Sequence, residues 1–398
     1  MKAAVIVGRT LVVLLSAAVL AAAGYGWSTL KRVQESVNTT DVLAELSDVP
    51  NAPPVADGAT DILLVGSDSR TDAQGRPLPD RVLRQLRTEA TDTLNTDTII
   101  VMRVPHNGGK ARAVSIPRDT YVPIPDHGEE KINSAYGLTK FFTMQRLQAE
   151  GVGDLEERSK QGDQAGRRAL VQVVQDLTGV RVDHYAEINL YGFYLLTEVI
   201  GGVDVCLNQA TSDPDSGANF RAGVQSISGG DALAFVRQRK GIPNGDLGRI
   251  TRQQVFMSAA MTKLMSAGTL TDPARLSGLL DAVSKSVVVD EKLDLATFAN
   301  QARGLAGGNV EFATIPVTGV GARNERGQSV VTVDPAQVKA FVAQLLGEKT
   351  TTHTPPPTTA PTTVPTTAPT TQKLTGDRLV TLDGRPRATA LQSPPCID

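Results

Sequence analysis

A long stretch without a charged residue, close to the N-terminus, sets the first limit on how this chain can fold. Thr10 to Leu30 contains no Lys, Arg, Asp or Glu and is rich in Leu, Val and Ala. A membrane-spanning helix needs about 20 apolar residues, so this stretch is long enough to cross a bilayer. Small residues at 21–23 leave open a cleaved signal peptide, although the apolar core of such peptides is usually only about 7–15 residues. We expect residues 1–31 to be a cytoplasmic tip and a single membrane anchor, with the rest of the chain outside the cytoplasm.

The remaining chain divides into one large domain with polar segments on both sides. Residues 32–59 are polar and contain Asn-Ala-Pro-Pro, which is typical of an extended stalk. Residues 60–348 alternate β-rich and helix-like patterns, as in a mixed α/β domain whose helices cover a sheet. Residues 349–371 are almost entirely Thr and Pro and are expected to be a linker, followed by a C-terminal tail at 372–398. Strands are expected at 61–66, 98–104, 111–116, 184–188, 203–207 and 310–317, and helices at 164–178, 191–200, 229–238, 246–266, 274–286, 293–305 and 334–346.

Net charge and cysteine content narrow the classes of ligand and of stabilising bond. The 40 Lys and Arg residues against 42 Asp and Glu leave a formal charge of -2, so the overall charge gives no reason to expect nucleic-acid binding. The two cysteines, Cys206 and Cys396, are too far apart in sequence for a zinc motif. Outside the cell they can form a disulfide, which we favour slightly. The alternative is a buried free thiol at Cys206, which lies in an apolar, strand-like run.

Charged residues stand at the ends of three predicted strands. The first strand leads into Asp68 and Arg70, the second follows Asp97, and the third leads into Arg118 and Asp119. Strand ends are where mixed α/β sheets gather their ligands. The sequence contains no P-loop, HExxH or GxSxG motif and no His/Cys cluster with metal-ligand spacing. These strand ends are therefore the first candidate site.

A second cationic group lies in the segment 232–254. Arg237 and Arg239 are two residues apart, so on a helix they would point about 200° away from each other. Because Gly241 and Pro243 follow, we expect the helix to unwind and both guanidinium groups to face one site.

The next predicted helix carries Asp246, Arg249 and Gln253 on one face, separate from its apolar face. Any single arginine is more often a solvated charge, but the combined set beside apolar runs and turn residues favours a site. Arginine binds phosphate oxygens two at a time, so a pyrophosphate is the expected ligand. Asp68 and Asp97 beside a polyanion imply a divalent cation between them, Mg²⁺ or Mn²⁺.

Several motifs occur in an order that resembles a known family. They are GSDSR at 66–70, TDT at 96–98, SIPRD at 115–119, KINSAY at 131–136, GGVDV at 201–205 and RQRKGIPNGDLGRITRQQ at 237–254. Together they are similar to the LytR-CpsA-Psr family over about residues 60–265, and the last motif is highly specific. The resemblance implies a three-layer α/β/α domain with a central mixed sheet and an apolar pocket for the lipid of a polyprenyl-pyrophosphate-linked glycan. It also implies transfer of that glycan to a peptidoglycan hydroxyl as a phosphodiester, at the outer face of the cytoplasmic membrane.

The resemblance assigns roles to individual residues. It implies metal binding by Asp68 and Asp97, and it places Asp246, Arg118 and Asp119 in the catalytic group, with Asp246 either orienting Arg249 or accepting the proton of the attacking hydroxyl. The residues expected to hold the pyrophosphate are Arg70, Arg118, Lys131, Arg237, Arg239, Arg249 and Gln253.

Two departures from the family pattern are visible, and two other functions stay open. Asn95 stands where family members often have Arg, so one phosphate or acceptor contact is expected to be either missing or supplied by Arg70. An extra stretch at 71–94 is expected to alter the rim of the site. With water as the acceptor, the same site would be a lipid-pyrophosphate hydrolase. A non-catalytic envelope regulator is the alternative from another class, and direct DNA binding is not expected.

Overall fold

The computed structural model describes the main domain and the end of the tail. The described residues are 37–44, 46, 58–72, 75–89, 91, 94–264, 273–294, 310–347 and 395–398. The expected anchor at 1–31, the linker at 349–371, most of the tail and all but the first residues of the helix expected at 293–305 lie outside them. Within the described part, no helix combines the length and apolar character of a membrane-spanning segment.

The centre of the domain is a seven-stranded mixed sheet with the strand order β1-β12-β7-β2-β3-β4-β13. This confirms the mixed α/β class expected from the sequence. The strands are β1 Asn38–Thr40, β2 Ala59–Ser67, β3 Thr96–Pro105, β4 Ala111–Ile116, β5 Tyr121–Ile124, β6 Gly128–Lys131, β7 His184–Asn189, β8 Val203–Leu207, β9 Thr211–Asp213, β10 Ala218–Phe220, β11 Gly223–Ile227, β12 Val287–Asp290, β13 Val310–Thr314, β14 Gly319–Arg323, β15 Ser329–Thr332 and β16 Cys396–Ile397.

Helices cover both faces of this sheet because its strands are apolar on both sides. The helices are α1 Asp80–Gln85, α2 Ala135–Ala149, α3 Leu155–Thr178, α4 Leu190–Val199, α5 Gly229–Arg237, α6 Asp246–Leu264, α7 Pro273–Ser286 and α8 Pro335–Leu346. Leu63 and Val65 of β2 pack in the same cluster as Leu170 of α3 and Val338 of α8. On the other face, Ile62 packs with residues of α6 such as Met257. Because successive side chains of β2 point to opposite faces of the sheet, this one strand contributes to the hydrophobic cores on both faces.

The first strand of the sheet comes from the segment that the sequence assigned to a stalk. Asn38–Thr40 pairs in parallel with β12, and Val37 and Val42 are buried. The folded domain therefore begins before Asp61. The segment has too few apolar residues to show a strand period, and only its pairing with a distant strand makes it part of the fold.

Helix α3 is longer than expected. Its apolar stripe starts late, which predicts a helix from residue 164, but Asp154 accepts a hydrogen bond from the backbone N–H of Glu156 and caps the helix ten residues earlier. The helix ends at Gly179, whose φ of 75° favours glycine. The first half of α3 pairs with α2 as a helical hairpin, with Gly166 directly against Tyr136.

The end of the tail returns to the domain at a three-stranded sheet of β11, β8 and β16. Cys206 and Cys396 form a disulfide, and Cys396–Ile397 pairs in parallel with β8. Arg252 of α6, only 1% exposed, donates a hydrogen bond of 3.1 Å from Nε to the Asp398 carbonyl. Burial lowers the pKa of Arg252 to about 10, and the charge of Asp398 partly opposes that shift.

Candidate active site

The charged strand ends of β2, β3 and β4 meet at one end of the sheet. Gly66 pairs with Thr98 across β2 and β3, and Ile99 pairs with Ile116 across β3 and β4. The residues just beyond these pairs are Asp68, Asp97 and Arg118, which the register therefore brings to the same end.

The centre of the site is a chain of ion pairs that links two strand ends to helix α6. Arg118 Nη1 donates to Asp97 Oδ1 at 2.9 Å, and Arg118 Nε lies 3.2 Å from Asp246 Oδ1. Asp246 also accepts hydrogen bonds of 3.1 Å and 3.2 Å from Nε and Nη2 of Arg249. Arg249 is 2% exposed and reaches the Asp97 carbonyl with Nη1. Segments that are 150 residues apart in sequence thus meet through four side chains.

The pKa values in this chain of ion pairs follow from burial opposed by charge. Burial would raise the pKa of Asp97, but the charges of Arg118 and Arg249 and a hydrogen bond from Asn133 hold it below its ordinary value. Burial would lower the pKa of Arg118, but Asp97, Asp246 and Asp119 raise it. Both groups are charged at neutral pH, and the site is held together by these attractions.

The outer edge of the site is formed by Asp119 and Lys131. Lys131 Nζ lies 2.8 Å from Asp119 Oδ1, and Asp119 Oδ2 lies 3.8 Å from Arg118 Nε. Lys131 is the last residue of β6, and the Arg118 carbonyl accepts a hydrogen bond from the Asn133 N–H in the turn that follows. The hairpin of β5 and β6 therefore places Lys131 beside Arg118.

The opposite edge is formed by Asp68 and Arg70. Arg70 Nη1 lies 3.1 Å from Asp68 Oδ2, and its Nη2 donates to Thr88 Oγ1 at 3.1 Å. The Asn95 carbonyl accepts a hydrogen bond from the Asp68 N–H, and Asn95 donates its own N–H to Asp68 Oδ1 at 2.7 Å. Asn95 thus holds the Asp68 carboxylate in place, while Arg70 supplies a guanidinium at this edge.

Arg237 lies at the edge formed by Asp68 and Arg70, whereas the neighbouring Arg239 is exposed. Helix α5 ends at Arg237, and Gln238 is extended with ψ of 133°, so the helix unwinds where the sequence predicts. Burial lowers the pKa of Arg237, and the nearby charge of Arg70 lowers it further, against partial compensation by Asp97 and Asp68. Of the two guanidinium groups expected to face one site, that of Arg237 lies near Asp68, Arg70 and Asp97, and Arg239 is exposed.

Gln253 supports the site by a hydrogen bond between two of its helices. It is 9% exposed, and its Nε2 donates to the Val236 carbonyl at 3.2 Å, which ties α6 to the end of α5. The loop between these helices is equally tight, because Gly248 approaches the Pro243 carbonyl so closely that a Cβ would collide with it. Gln253 and Gly248 fix the backbone that carries Arg237 and Arg249.

The charged cluster carries a surplus of positive charge and spare hydrogen-bond donors. We define it as Asp68, Arg70, Asp97, Arg118, Asp119, Lys131, Arg237, Asp246 and Arg249. Its five cations outnumber its four carboxylates by one, and burial of Arg237 beside Arg70 makes that surplus costly without an anion. Among the described residues, Nε of Arg70 and Nε of Arg118 are buried donors without a hydrogen-bond partner. This arrangement suits a ligand with several anionic oxygens.

The carboxylates fit a divalent cation only if the ligand supplies further oxygens. Asp68 and Asp97 are oxygen donors at the same sheet end, with side chains 19% and 31% exposed. The described residues contain no group of three or more His, Cys, Asp or Glu side chains arranged to hold a metal. Mg²⁺ commonly binds through one or two carboxylates together with substrate phosphates, and that is the donor set available here.

Some residues that contact the site belong to no motif that would identify them from the sequence. Thr88 and the Leu86 carbonyl contact Arg70 and Arg237, and both come from the extra stretch 71–94. That stretch packs through Leu83 and Leu86 against Leu233 of α5, so it forms a wall of the site. Asn133, which stabilises the Asp97 carboxylate, stands in the KINSAY motif and could have been found there.

A small cavity lies behind the GSDSR motif. It has a volume of about 40 Å³ and is lined by polar groups of Ser69, Thr71, Lys140, Arg167 and Glu187. It is too small and too polar for a lipid chain, so the apolar pocket implied by the resemblance stays a prediction.

Known proteins match this chain over most of its length. The sequence model of the LytR_cpsA_psr family matches residues 27–346. The chain is 49% identical over 340 residues to the cell wall biosynthesis protein LcpA of Corynebacterium glutamicum, covering 85% of this chain and 65% of LcpA. It is 31% identical over 265 residues to TagU of Oceanobacillus iheyensis, named a polyisoprenyl-teichoic acid–peptidoglycan teichoic acid transferase, covering 66% of this chain and 68% of TagU.

Solved structures share the fold at low sequence identity. A LytR-Csp2A-Psr enzyme from Actinomyces oris superposes with a TM-score of 0.51 at 17% identity, covering 78% of this chain and 96% of that chain. At such identity the likeness concerns the fold alone. The chain spans about two thirds of the length of LcpA, so what LcpA does as a whole is not carried over to it.

Proposed function

The chain belongs to the LytR-CpsA-Psr family, and from this premise we propose that it transfers a glycan from a polyprenyl-pyrophosphate carrier to a peptidoglycan hydroxyl. The products are a glycan linked to peptidoglycan by a phosphodiester, and polyprenyl phosphate. The observation that carries the proposal is the convergence of Arg118, Arg237 and Arg249 with Asp97 and Asp246 in one cluster with surplus positive charge.

The cluster supplies what the transfer of a phosphoryl group needs, which is positioning and compensation of charge. The acceptor hydroxyl attacks the phosphorus that carries the glycan, and the bond from that phosphorus to the oxygen of the leaving polyprenyl phosphate breaks. Arg237 and Arg249 hold phosphate oxygens, and the positive charges of Arg70 and Arg118 offset negative charge that develops on them.

The carboxylates have different roles because their ion pairs differ. Asp246 lies between the guanidinium groups of Arg118 and Arg249 and fixes both, so it is a positioning residue. Asp119 lies nearer to Lys131, at 2.8 Å, than to Arg118, at 3.8 Å, and accepts the proton of the attacking hydroxyl. Lys131 then balances the remaining charge at this edge.

A divalent cation and a membrane complete the proposal. Asp68 and Asp97 would hold Mg²⁺ or Mn²⁺ together with phosphate oxygens, and the cation would neutralise negative charge on the leaving phosphate. The uncharged stretch Thr10–Leu30 would anchor the chain in the cytoplasmic membrane with its N-terminus inside, which places the domain beside the lipid carrier.

The test is transfer by the full chain in detergent. The substrates are a synthetic lipid-pyrophosphoryl glycan and soluble peptidoglycan oligomers, with Mg²⁺ or with a chelator. We expect a phosphodiester-linked conjugate and polyprenyl phosphate in equal amounts, and loss of both with the chelator. Free phosphorylated glycan as the sole product, with or without acceptor, would instead identify a hydrolase.

Two variants separate the roles of the carboxylates. Asp119→Asn should lower kcat by about 100-fold or more, the usual contribution of a proton acceptor, with little change in donor KM. Asp246→Asn should raise donor KM as well as lower kcat, because Arg118 and Arg249 lose a shared anion. Full activity of both variants in cells would favour a non-catalytic regulator.

A further inference from the structure

Three aromatic rings form a patch where helix α2 meets the turn between β5 and β6. Phe141 and Phe142 are 54% and 49% exposed. The His127 ring stacks on Phe142 with centroids 5.0 Å apart and an angle of 25°, and Phe141 meets Phe142 edge to face at 5.3 Å. We call these three residues the aromatic platform. Single exposed apolar residues are ordinary, but rings that hold one another in contact form a preorganised surface.

The platform is connected to the site through one corner of the chain. Strand β6 ends at Lys131, and α2 begins at Ala135. His127 lies four residues before Lys131, which is about 13 Å along an extended strand. Phe142 lies seven residues after Ala135, which is about 10 Å along a helix. Both arms start from the Lys131 edge of the charged cluster and meet again at the platform.

We propose that the aromatic platform binds sugar rings of the peptidoglycan acceptor. The inference rests on the proposed function and names the acceptor's binding site. The polarised C–H groups of a pyranose stack on the negative face of an aromatic ring, and flat, exposed rings such as these suit that contact. The two phenylalanine rings bring no charge of their own, so they suit a ligand that is held through its sugar rings.

The position of the platform assigns it to the acceptor and not to the donor. The donor is held by its pyrophosphate, to which the cluster presents several guanidinium groups. The acceptor hydroxyl is uncharged and must be held through neighbouring sugars. The platform extends from the Lys131 and Asp119 edge, where the attacking hydroxyl loses its proton, whereas Arg70 and Arg237 lie at the opposite edge.

The experiment measures transfer by the full chain at varied acceptor concentration, using peptidoglycan oligomers of increasing length. Phe142→Ala and the double variant with Phe141→Ala should raise the acceptor KM by about three- to tenfold, with a greater effect for longer oligomers and no change in donor KM. Phe142→Trp, which keeps an aromatic ring at this position, should have the acceptor KM of the wild type. The control is Leu155→Ala, a residue 62% exposed at the far end of the helical hairpin of α2 and α3, which should leave both KM values unchanged.

Three outcomes would overturn the inference. A rise in donor KM alone would assign the platform to the donor glycan. Reduced binding to liposomes with an unchanged acceptor KM would make it a membrane contact. Unchanged values in the double variant would leave it without a role. Absence of transfer by the wild-type chain would instead count against the proposed function, and binding of the oligomers to the double variant and to wild type would then still test the platform.

Discussion

Removal of the disulfide between Cys206 and Cys396 should destabilise the domain by a predictable amount. The two cysteines are 190 residues apart, and the chain-entropy relation gives about 5 kcal/mol for a loop of that length at 25 °C as an upper value. A domain of this size loses about 2–4 °C of Tm for each kcal/mol. The double substitution of both cysteines by Ser should therefore lower Tm by about 10–20 °C.

Removal of the disulfide should also affect the candidate active site, because the tail contacts Arg252 of α6, the helix that carries Asp246 and Arg249. Without the disulfide, the described end of the tail is held by the short pairing of β16, the packing of Ile397 and the hydrogen bond from Arg252. Arg252 also donates to Gln238 Oε1 at 2.8 Å, and Gln238 stands directly after Arg237. Release of the tail should leave Arg252 with an unpaired donor and loosen this turn, which should raise the donor KM.

The assay is thermal unfolding of the full chain with and without a reducing agent, alongside the double Ser variant. The reducing agent should lower the Tm of the wild type to that of the variant and leave the variant unchanged. A Tm difference of less than about 2 °C would refute the reasoning, because it would mean that the tail constrains neither the folded nor the unfolded chain.

Three further outcomes follow from the site. Arg237→Ala should weaken donor binding by about 100-fold, as expected for a half-buried cation that faces phosphate, whereas exposed Arg239→Ala should change it only a few-fold; donor titration measures both. Gly248→Ala should lower Tm and transfer because its Cβ collides with backbone, whereas Gly153→Ala, which meets no atom within 4 Å, should change neither. The pKa of Asp97 is held below its ordinary value of 3.8, so its contribution to stability should be full above that pH and lost only as pH falls further; the Tm difference between wild type and Asp97→Asn should therefore be constant from neutral pH to about pH 5 and close in stronger acid.

Strands and motif residues could be predicted because their signals are local. The β-rich runs at 111–116 and 203–207 are strands with those bounds, since apolar β-branched residues end abruptly at polar or turn residues. The charged residues at the ends of β2, β3 and β4 could be assigned to one site because neighbouring strands share their ends. The mixed α/β class followed from the alternation of these patterns.

Other features depend on contacts between residues that are far apart in the sequence, and a short stretch of sequence does not show such contacts. β1 is a strand only because β12, nearly 250 residues later, offers it an edge. Arg239 is exposed whereas Arg237 is half-buried, a difference that the expected unwinding of the helix after Arg237 does not give. The wall that 71–94 forms depends on its packing against α5, and the sequence predicted only that the stretch would alter the rim.

The first strand of the sheet also determines where the preceding chain leaves the domain. Across the sheet, Asn38 is level with Val65 and Ile116, so the residues before it depart at the end where Asp68 and Arg118 stand. Four strand spacings, about 20 Å, separate this exit from β3. With Thr10–Leu30 in the bilayer as proposed, the six residues from Lys31 to Ser36 reach at most about 20 Å. So short a connection would hold this end of the domain against the lipid headgroups. A lipid carrier could then place its pyrophosphate in the charged cluster while its own hydrocarbon chain stays in the membrane.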